Sequence, residues 1–330
     1  MKRLLFILLA LTLCALCFTA CKKDEPSVED NPTSDNQNQD NNQNDDNQND
    51  NQNDNIVYSK GLKFTSNGDG TCYVSGIGTC TDNEVQIPRK SHDGDSVTSI
   101  GSQAFEYCSS ITSVVIPDSV TSVGERAFYC CESLTSVTIP DSVTTIGELA
   151  FNYCRSLTSV TIGDSVTTIG GWAFYWCTSL TSVTIPDSVT TIGNGAFNGC
   201  TSLTSVTIPD GVTTIVADAF SGCSSLTSVT IPDSVTTIGH HAFGNCTNLT
   251  SVTIPDSVTT IGGWAFRYCT SLTSVTIPDS VTTIGDWAFS WCTSLTNVYY
   301  KGSEAEWAEI SIDNYNDDLV NANITYKYVG

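Results

Sequence analysis

Residues 254–276 read IPDSVTTIGGWAFRYCTSLTSVT, and the same 23-residue phrase, lightly edited, runs through most of the chain. Its Ala-Phe pair places Phe105, Phe128, Phe151, Phe174, Phe197, Phe220, Phe243, Phe266 and Phe289 at a constant step of 23. A cysteine follows three residues after each, from Cys108 to Cys292. The Ile-Pro-Asp turn keeps the same period from Ile116, so residues 116–299 hold eight full units. An upstream unit over 87–115 carries a six-residue insertion, Arg89 to Gly94. A fixed period of this length signals a solenoid, in which each unit packs only on its neighbours.

One unit shows why. Leu157, Val160 and Ile162 alternate with Ser159 and Thr161, the period of a short strand with one buried face. Gly163 and Asp164, or Pro and Asp elsewhere, make a turn. Val166 to Ile169 reads as a second extended piece, stopped by Gly170; Ala173, Phe174 and Cys177 then follow at a spacing that predicts about one helical turn. Eight side chains per coil point inward. Full burial of a large apolar side chain contributes roughly 1.5–3 kcal/mol, against roughly 1–2 kcal/mol of backbone entropy for every residue ordered. A single coil fails that comparison; a stack passes it.

The unit resembles the BspA-like leucine-rich repeat family, and the resemblance covers residues 87–299. It implies a β-rich repeat solenoid of leucine-rich-repeat type: 23-residue coils of short strand, turn, second extended segment and one helical turn. The flanks are similar to the family's caps. Residues 61–80, within a segment 56–86, resemble a β-hairpin N-cap with Asn67-Gly68-Asp69-Gly70 at its turn. Residues 299–312, at the head of a segment 300–330, resemble a helix-strand C-cap; Ser303 and Glu306 have capping-box spacing, with Trp307 and Ile310 facing the last coil. Caps are needed because bare coil ends expose apolar side chains and unpaired strand edges. The resemblance further implies a non-catalytic, surface-displayed binding module, an adhesin for host or microbial surface proteins.

The N-terminus reads as an address. Lys2 and Arg3 precede an apolar run from Leu4 to Phe18, too short for a spanning helix and suited to an export signal over 1–20. Phe18-Thr19-Ala20-Cys21 is similar to a bacterial lipobox, which makes Cys21 the lipidated first residue of the mature protein; an ordinary cleaved signal with a chance cysteine is the alternative. Lys22-Lys23-Asp24-Glu25 resembles the export tag of some Gram-negative surface lipoproteins, which implies an outer-membrane lipoprotein facing the cell exterior. Residues 22–55, nearly all Asn, Gln and Asp from 31 on, have almost no apolar surface to bury and read as a tether. As a flexible coil such a segment reaches roughly 30 Å on average.

Composition narrows the function. The chain holds 13 Lys+Arg against 35 Asp+Glu, a net charge of −22, so a basic nucleic-acid surface is excluded. The nine-rung cysteine column reads as buried thiols behaving as small hydrophobes, since stacked parallel side chains do not present disulfide geometry. Cys72 and Cys80 could bridge across the N-cap. No spacing suggests a cofactor, a metal site or a nucleophile-base-orienter set, and His240-His241 reads as a solvent-facing variation.

Units differ mainly beside Ala-Phe. Large residues pair four apart at Leu149 and Tyr153, Trp172 and Trp176, Trp264 and Tyr268, and Trp287 and Trp291, whereas Gly195 and Gly199 are small together. Helical spacing would place each pair on one face. Tyr153, Trp172, Trp176, Trp264, Tyr268, Trp287 and Trp291 are therefore the candidate ligand-binding residues, as two exposed patches for a protein or the apolar face of a sugar. The alternative is that the rings only pack between coils and seal the ridge.

Three regular columns complete the surface. Serines and threonines such as Ser159 and Thr161 form a flat hydroxyl face, read as a solvated sheet or an ice-binding array. Asp118 to Asp279 stack at the turns, where turn chemistry accounts for them. The Asp-Ser-Val triplets, among them Ser142, Ser165 and Ser188, are similar to an O-glycosylation acceptor of some Gram-negative secreted proteins. The leading functional reading is membrane attachment through a lipid anchor with protein binding outside; a glycan-binding accessory protein comes second, a structural spacer third.

Overall fold

The computed structural model describes residues 57–329. The export signal, Cys21 and the tether lie outside the described residues.

Each repeat becomes one coil made of three runs. The first is the Ser-Val-Thr strand: in Ser159–Ile162 the hydroxyl residues are exposed and Val160 and Ile162 buried. It pairs in parallel with the preceding coil in strict 23-residue register, Ser159 with Ser136 and Val160 with Val137. The second run is the short Thr-Ile strand, with Thr168 beside Thr145 and Ile169 beside Ile146. Threonine hydroxyls reinforce both ladders by donating to the carbonyl one coil back, as Thr158 does to Thr135 O at 3.0 Å and Thr167 to Thr144 O at 3.2 Å.

The third run differs from the helical turn that its spacing predicts. Trp264 and Tyr268 have φ of 64° and 63°, and Trp172, Trp176, Trp287 and Trp291 share this left-handed conformation. Trp264 N–H donates to Asp286 O at 2.9 Å, Phe266 N–H to Ala288 O at 2.8 Å and Tyr268 N–H to Ser290 O at 2.9 Å, all on the next coil. The alternate donors, Ala265, Arg267 and Cys269, bond three residues back within the coil. A helix would turn every donor inward. Here every second donor points along the stack and makes a third parallel ladder, which offsets the roughly 1–2 kcal/mol that a non-glycine residue costs in the left-handed region.

Inside, the nine phenylalanines form one continuous column. Successive ring centroids lie from 5.0 Å (Phe105 and Phe128) to 5.6 Å (Phe220 and Phe243) apart. The cysteines lie beside this column, buried from Cys131 onward. They do more than fill space: Cys131 Sγ donates to Phe105 O at 3.1 Å and Cys177 Sγ to Phe151 O at 3.2 Å, satisfying a second lone pair on carbonyls of the coil before. Burial pushes the Cys223 and Cys269 thiols up to about 12, so the column stays protonated and unreactive.

A glycine column ends the second run. A Cβ on Gly147, Gly170 or Gly262 would lie 2.6, 2.6 and 2.7 Å from the backbone of the preceding coil, closer than any real side chain sits. Val216 occupies this column in one coil. At that joint both strand ladders are interrupted: Ser182–Val183 does not pair with Ser205–Thr207, nor Thr191–Ile192 with Thr214–Ile215. The bonds made elsewhere by the equivalents of Val216 N–H and Thr213 N–H are missing among the described residues, while the third ladder continues through Phe197 N–H to Ala219 O at 2.9 Å. The added isopropyl group stands where the second-run ladder breaks, while on the first run Thr204 N–H still donates to Thr181 O at 3.3 Å.

At the N-terminal end, β1 (Lys63–Ser66) and β2 (Thr71–Gly76) form an antiparallel hairpin, and β2 starts the second-run ladder by pairing in parallel with Ser96–Ile100. Asp69 Oδ1 accepts the Thr71 N–H at 3.0 Å and fixes the turn. Cys72 and Cys80 are both free thiols. At the other end, helix α1 (Glu304–Glu309) begins with a reciprocal Ser303–Glu306 capping box. Trp307 meets Tyr300 edge-on at 5.1 Å, and Ile310 is buried. Helix α2 (Asp317–Val320) buries Leu319. Between the helices, Asn316 Oδ1 accepts the Phe289 N–H at 3.0 Å, standing in for the carbonyl of a coil that does not follow.

Candidate functional site

The third run carries the variable residues, and its left-handed positions decide where they point. Side chains there lie along the ridge toward the next coil. A Cβ on Gly195 would meet the Trp172 indole at 2.6 Å, and one on Gly199 would meet the Trp176 indole at 2.8 Å. Both indoles therefore rest on glycine backbone and turn their other faces outward, leaving Trp172 40% and Trp176 42% exposed. Ring contacts run from coil to coil along columns: Tyr153 to Trp176 at 6.1 Å, and Tyr268 stacked on Trp291 at 5.7 Å. Trp291 is 50% exposed, while Tyr153, Trp264, Tyr268 and Trp287 are half-buried. Rings that seal the ridge between coils thus still offer one face to solvent.

Several ridge residues gave no signal in the sequence. Tyr129 and Tyr175 stand edge-on to Tyr153, at 6.3 and 5.6 Å. Burial pushes the Tyr153 phenol up to about 12, which keeps it a neutral hydroxyl. Tyr315, from the C-terminal segment, stacks on Trp287 at 4.0 Å and is 56% exposed, so it extends the second patch beyond the repeats. The Arg267 guanidinium lies 4.3 Å from the Trp264 ring, 4.6 Å from Tyr268 and 5.1 Å from Trp287, joining the two aromatic columns. Only the side-by-side order of coils brings these four together.

His241 is not the free surface group its sequence suggests. Its Nδ1 lies 2.8 Å from Asp218 Oδ1 and 3.2 Å from Ser221 Oγ, its Nε2 lies 3.1 Å from Asn245, and its ring stands edge-on to Trp264 at 5.9 Å. Serine, histidine and aspartate meet, but both oxygens face one nitrogen. A nucleophile relay needs them on opposite ring nitrogens, so this cluster orients the ridge and does not activate Ser221. Among the described residues no group of three His, Cys, Asp or Glu is placed to hold a metal ion.

The turn columns resolve in the same way. The Asp column is exposed; Arg89 pairs with Asp118 and Lys301 with Asp256, each at 2.6 Å. Serines of the Asp-Ser-Val triplets mostly face inward along the stack: Ser142 donates to Val120 O at 2.6 Å and Ser188 to Val166 O at 2.7 Å. Ser165 is exposed, in the coil where Gly163 replaces proline and Asp164 N–H bonds Asp141 Oδ1 at 3.0 Å. The hydroxyl face is flat only in segments, because its strand ladder breaks at two joints.

The model of the BspA type leucine-rich repeat region matches residues 98–227 and 213–325, in six copies. The chain belongs to the BspA-type leucine-rich repeat family. A leucine-rich repeat protein from Bacteroides ovatus is similar to it at 29% identity and a TM-score of 0.57, over 83% of this chain and 79% of that one. The Treponema pallidum leucine-rich repeat protein aligns at 30% identity and a TM-score of 0.54, over 59% of this chain and 91% of that one. No curated protein matches the chain. The BspA-type family is a repeat scaffold of bacterial surface proteins, which sets this chain among interaction modules. No helix among the described residues is long and apolar enough to cross a membrane.

Proposed function

We propose that this BspA-type protein is a cell-surface lipoprotein that acts as an adhesin, anchored through Cys21 and binding host or microbial surface proteins along the aromatic ridge. The observation that carries this reading is the ridge itself: Trp172, Trp176 and Trp291 keep 40–50% of their surface exposed in a stack that buries its phenylalanine column completely. Exposed aromatic rings in neighbouring positions mark recognition surfaces. The surplus of acid, −22 overall, favours a partner with basic patches.

A pull-down with the full chain against host matrix proteins tests it, run beside a variant with Trp172, Trp176, Trp264, Tyr268, Trp287 and Trp291 all changed to alanine. Capture that weakens with salt and is lost in the variant supports the reading; capture that survives in a folded variant ends it. Metabolic labelling with palmitate, absent in Cys21→Ser, tests the anchor. A glycan-binding role is the second reading, favoured by the flat indoles of Trp172 and Trp176 lying on glycine.

A further inference from the structure

Four arginines fall within the described residues, and three have a carboxylate at hand. Arg89 pairs with Asp118 at 2.6 Å. On the ridge, Arg126 Nε faces Glu125 at 3.7 Å and Arg155 Nε faces Glu132 at 4.0 Å. Among the described residues Arg267 has no acidic group within 4.0 Å, and its Nε, like those of Arg126 and Arg155, is buried without a hydrogen-bond partner. The residues flanking it in its column, Gly244 and Ser290, cannot supply an anion. Nearby acids are engaged elsewhere: Asp218 with His241 at 2.8 Å, and Asp286 with the Asn314 N–H at 3.0 Å. A guanidinium is always charged and has donors only, so a ligand that engages it polar-to-polar presents an acceptor.

The surroundings narrow the partner. Trp264, Tyr268 and Trp287 hold the guanidinium against three rings. Beside it run two stacked pairs, Tyr268 with Trp291 and Trp287 with Tyr315, whose outer members are 50% and 56% exposed. An anion next to flat aromatic faces matches a six-membered sugar ring that carries a carboxylate: the carboxylate takes the guanidinium and the C–H face of the ring lies on the aromatic surface. We propose that Arg267 and its aromatic walls form a binding site for a carboxylated pyranose of the uronic-acid type. The inference rests on the ridge being a binding surface and names the ligand chemistry of its C-terminal patch. The protein's net charge of −22 repels anions only at long range, and salt screens that beyond about 8–10 Å, so contact geometry decides.

Calorimetry with the full chain in detergent tests the site, using tetragalacturonate and its fully methyl-esterified form. The acid should bind at least about tenfold more tightly than the ester, since the charge-assisted bond is lost on esterification. Arg267→Gln should remove that discrimination, and Trp291→Ala should weaken both ligands alike. Because the two ligands differ while the protein does not, the test stands even where a variant folds poorly. Equal binding of acid and ester, or no binding of the acid at millimolar concentration, overturns the proposal. So does direct binding of an acidic peptide in the absence of uronate binding, which would assign Arg267 to a peptide carboxylate. Retention of surface-protein capture by Arg267→Gln separates failure here from failure of the adhesin reading.

Discussion

Substituting valine for Gly262 should interrupt the second-run ladder at that coil, as it is interrupted at Val216. A Cβ at Gly262 would meet Gly239 C at 2.7 Å, so the coil must move away at that corner. The bonds at risk are Gly262 N–H to Ile238 O at 2.7 Å and Thr259 N–H to Thr236 O at 3.0 Å, with the Thr259 hydroxyl to the same oxygen at 3.4 Å. Two backbone bonds at about 1 kcal/mol each make a local loss of about 2 kcal/mol. That corresponds to roughly thirtyfold faster exchange of the affected amides when exchange follows local opening. Hydrogen exchange by mass spectrometry reads it on peptides covering 259–262. The unaltered protein supplies an internal comparison, because Thr213 and Val216 amides should already exchange faster than Thr236 and Gly239. If the Gly262→Val peptides exchange at the original rate, or the coil of Val216 is as protected as its neighbours, steric contact at the glycine column does not set coil spacing.

Three further outcomes are expected. Cys223 and Cys269 hold their protons up to about 12 in the folded stack, against an ordinary value of 9. Between those values only the unfolded chain has lost the proton, so stability is full below pH 9 and falls as pH rises toward 12; a urea midpoint that stays flat from pH 8 to 11 contradicts this. Gly199→Ala puts a Cβ 2.8 Å from the Trp176 indole at a φ of 76° and should displace the ring, seen as a red shift in tryptophan emission; an unshifted spectrum refutes the platform geometry. Ser303→Ala removes the capping box of α1 and should lower stability by about 1 kcal/mol in denaturant unfolding, with no change meaning that the helix is held by its packing alone.

The coil was legible in the sequence wherever a side chain announces its own environment. The 23-residue period, the inward Val160 and Ile162 and the Phe column are all written as residue type. The third run was not, because residues four apart in a left-handed turn pattern look like residues four apart in a helix; only the backbone distinguishes Trp264 and Tyr268 at positive φ from a helical face. Val216 was visible as one departure in a glycine column, but its consequence depends on a distance between coils. Arg267 gave no signal in the sequence, because the rings around it come from its own coil and the next. The thiol column was recognised as buried, while its donation to Phe carbonyls is a matter of orientation within the stack.

The left-handed ridge also bears on how such a surface changes over generations. Its ladder is made by the N–H groups of positions such as 264, 266 and 268, and the side chains at the outer two take no part in those bonds. Glycine, aspartate, histidine, leucine, arginine, glutamine and tryptophan all occupy one such column in this chain. A substitution there alters what the ridge presents without removing the backbone ladder that joins one coil to the next. Because the coils are nearly identical, recombination between them can add, delete or reorder units and leave every rung of the ladder in place. Variation in what the ridge presents is thereby uncoupled from folding, which would suit the adhesin role proposed above.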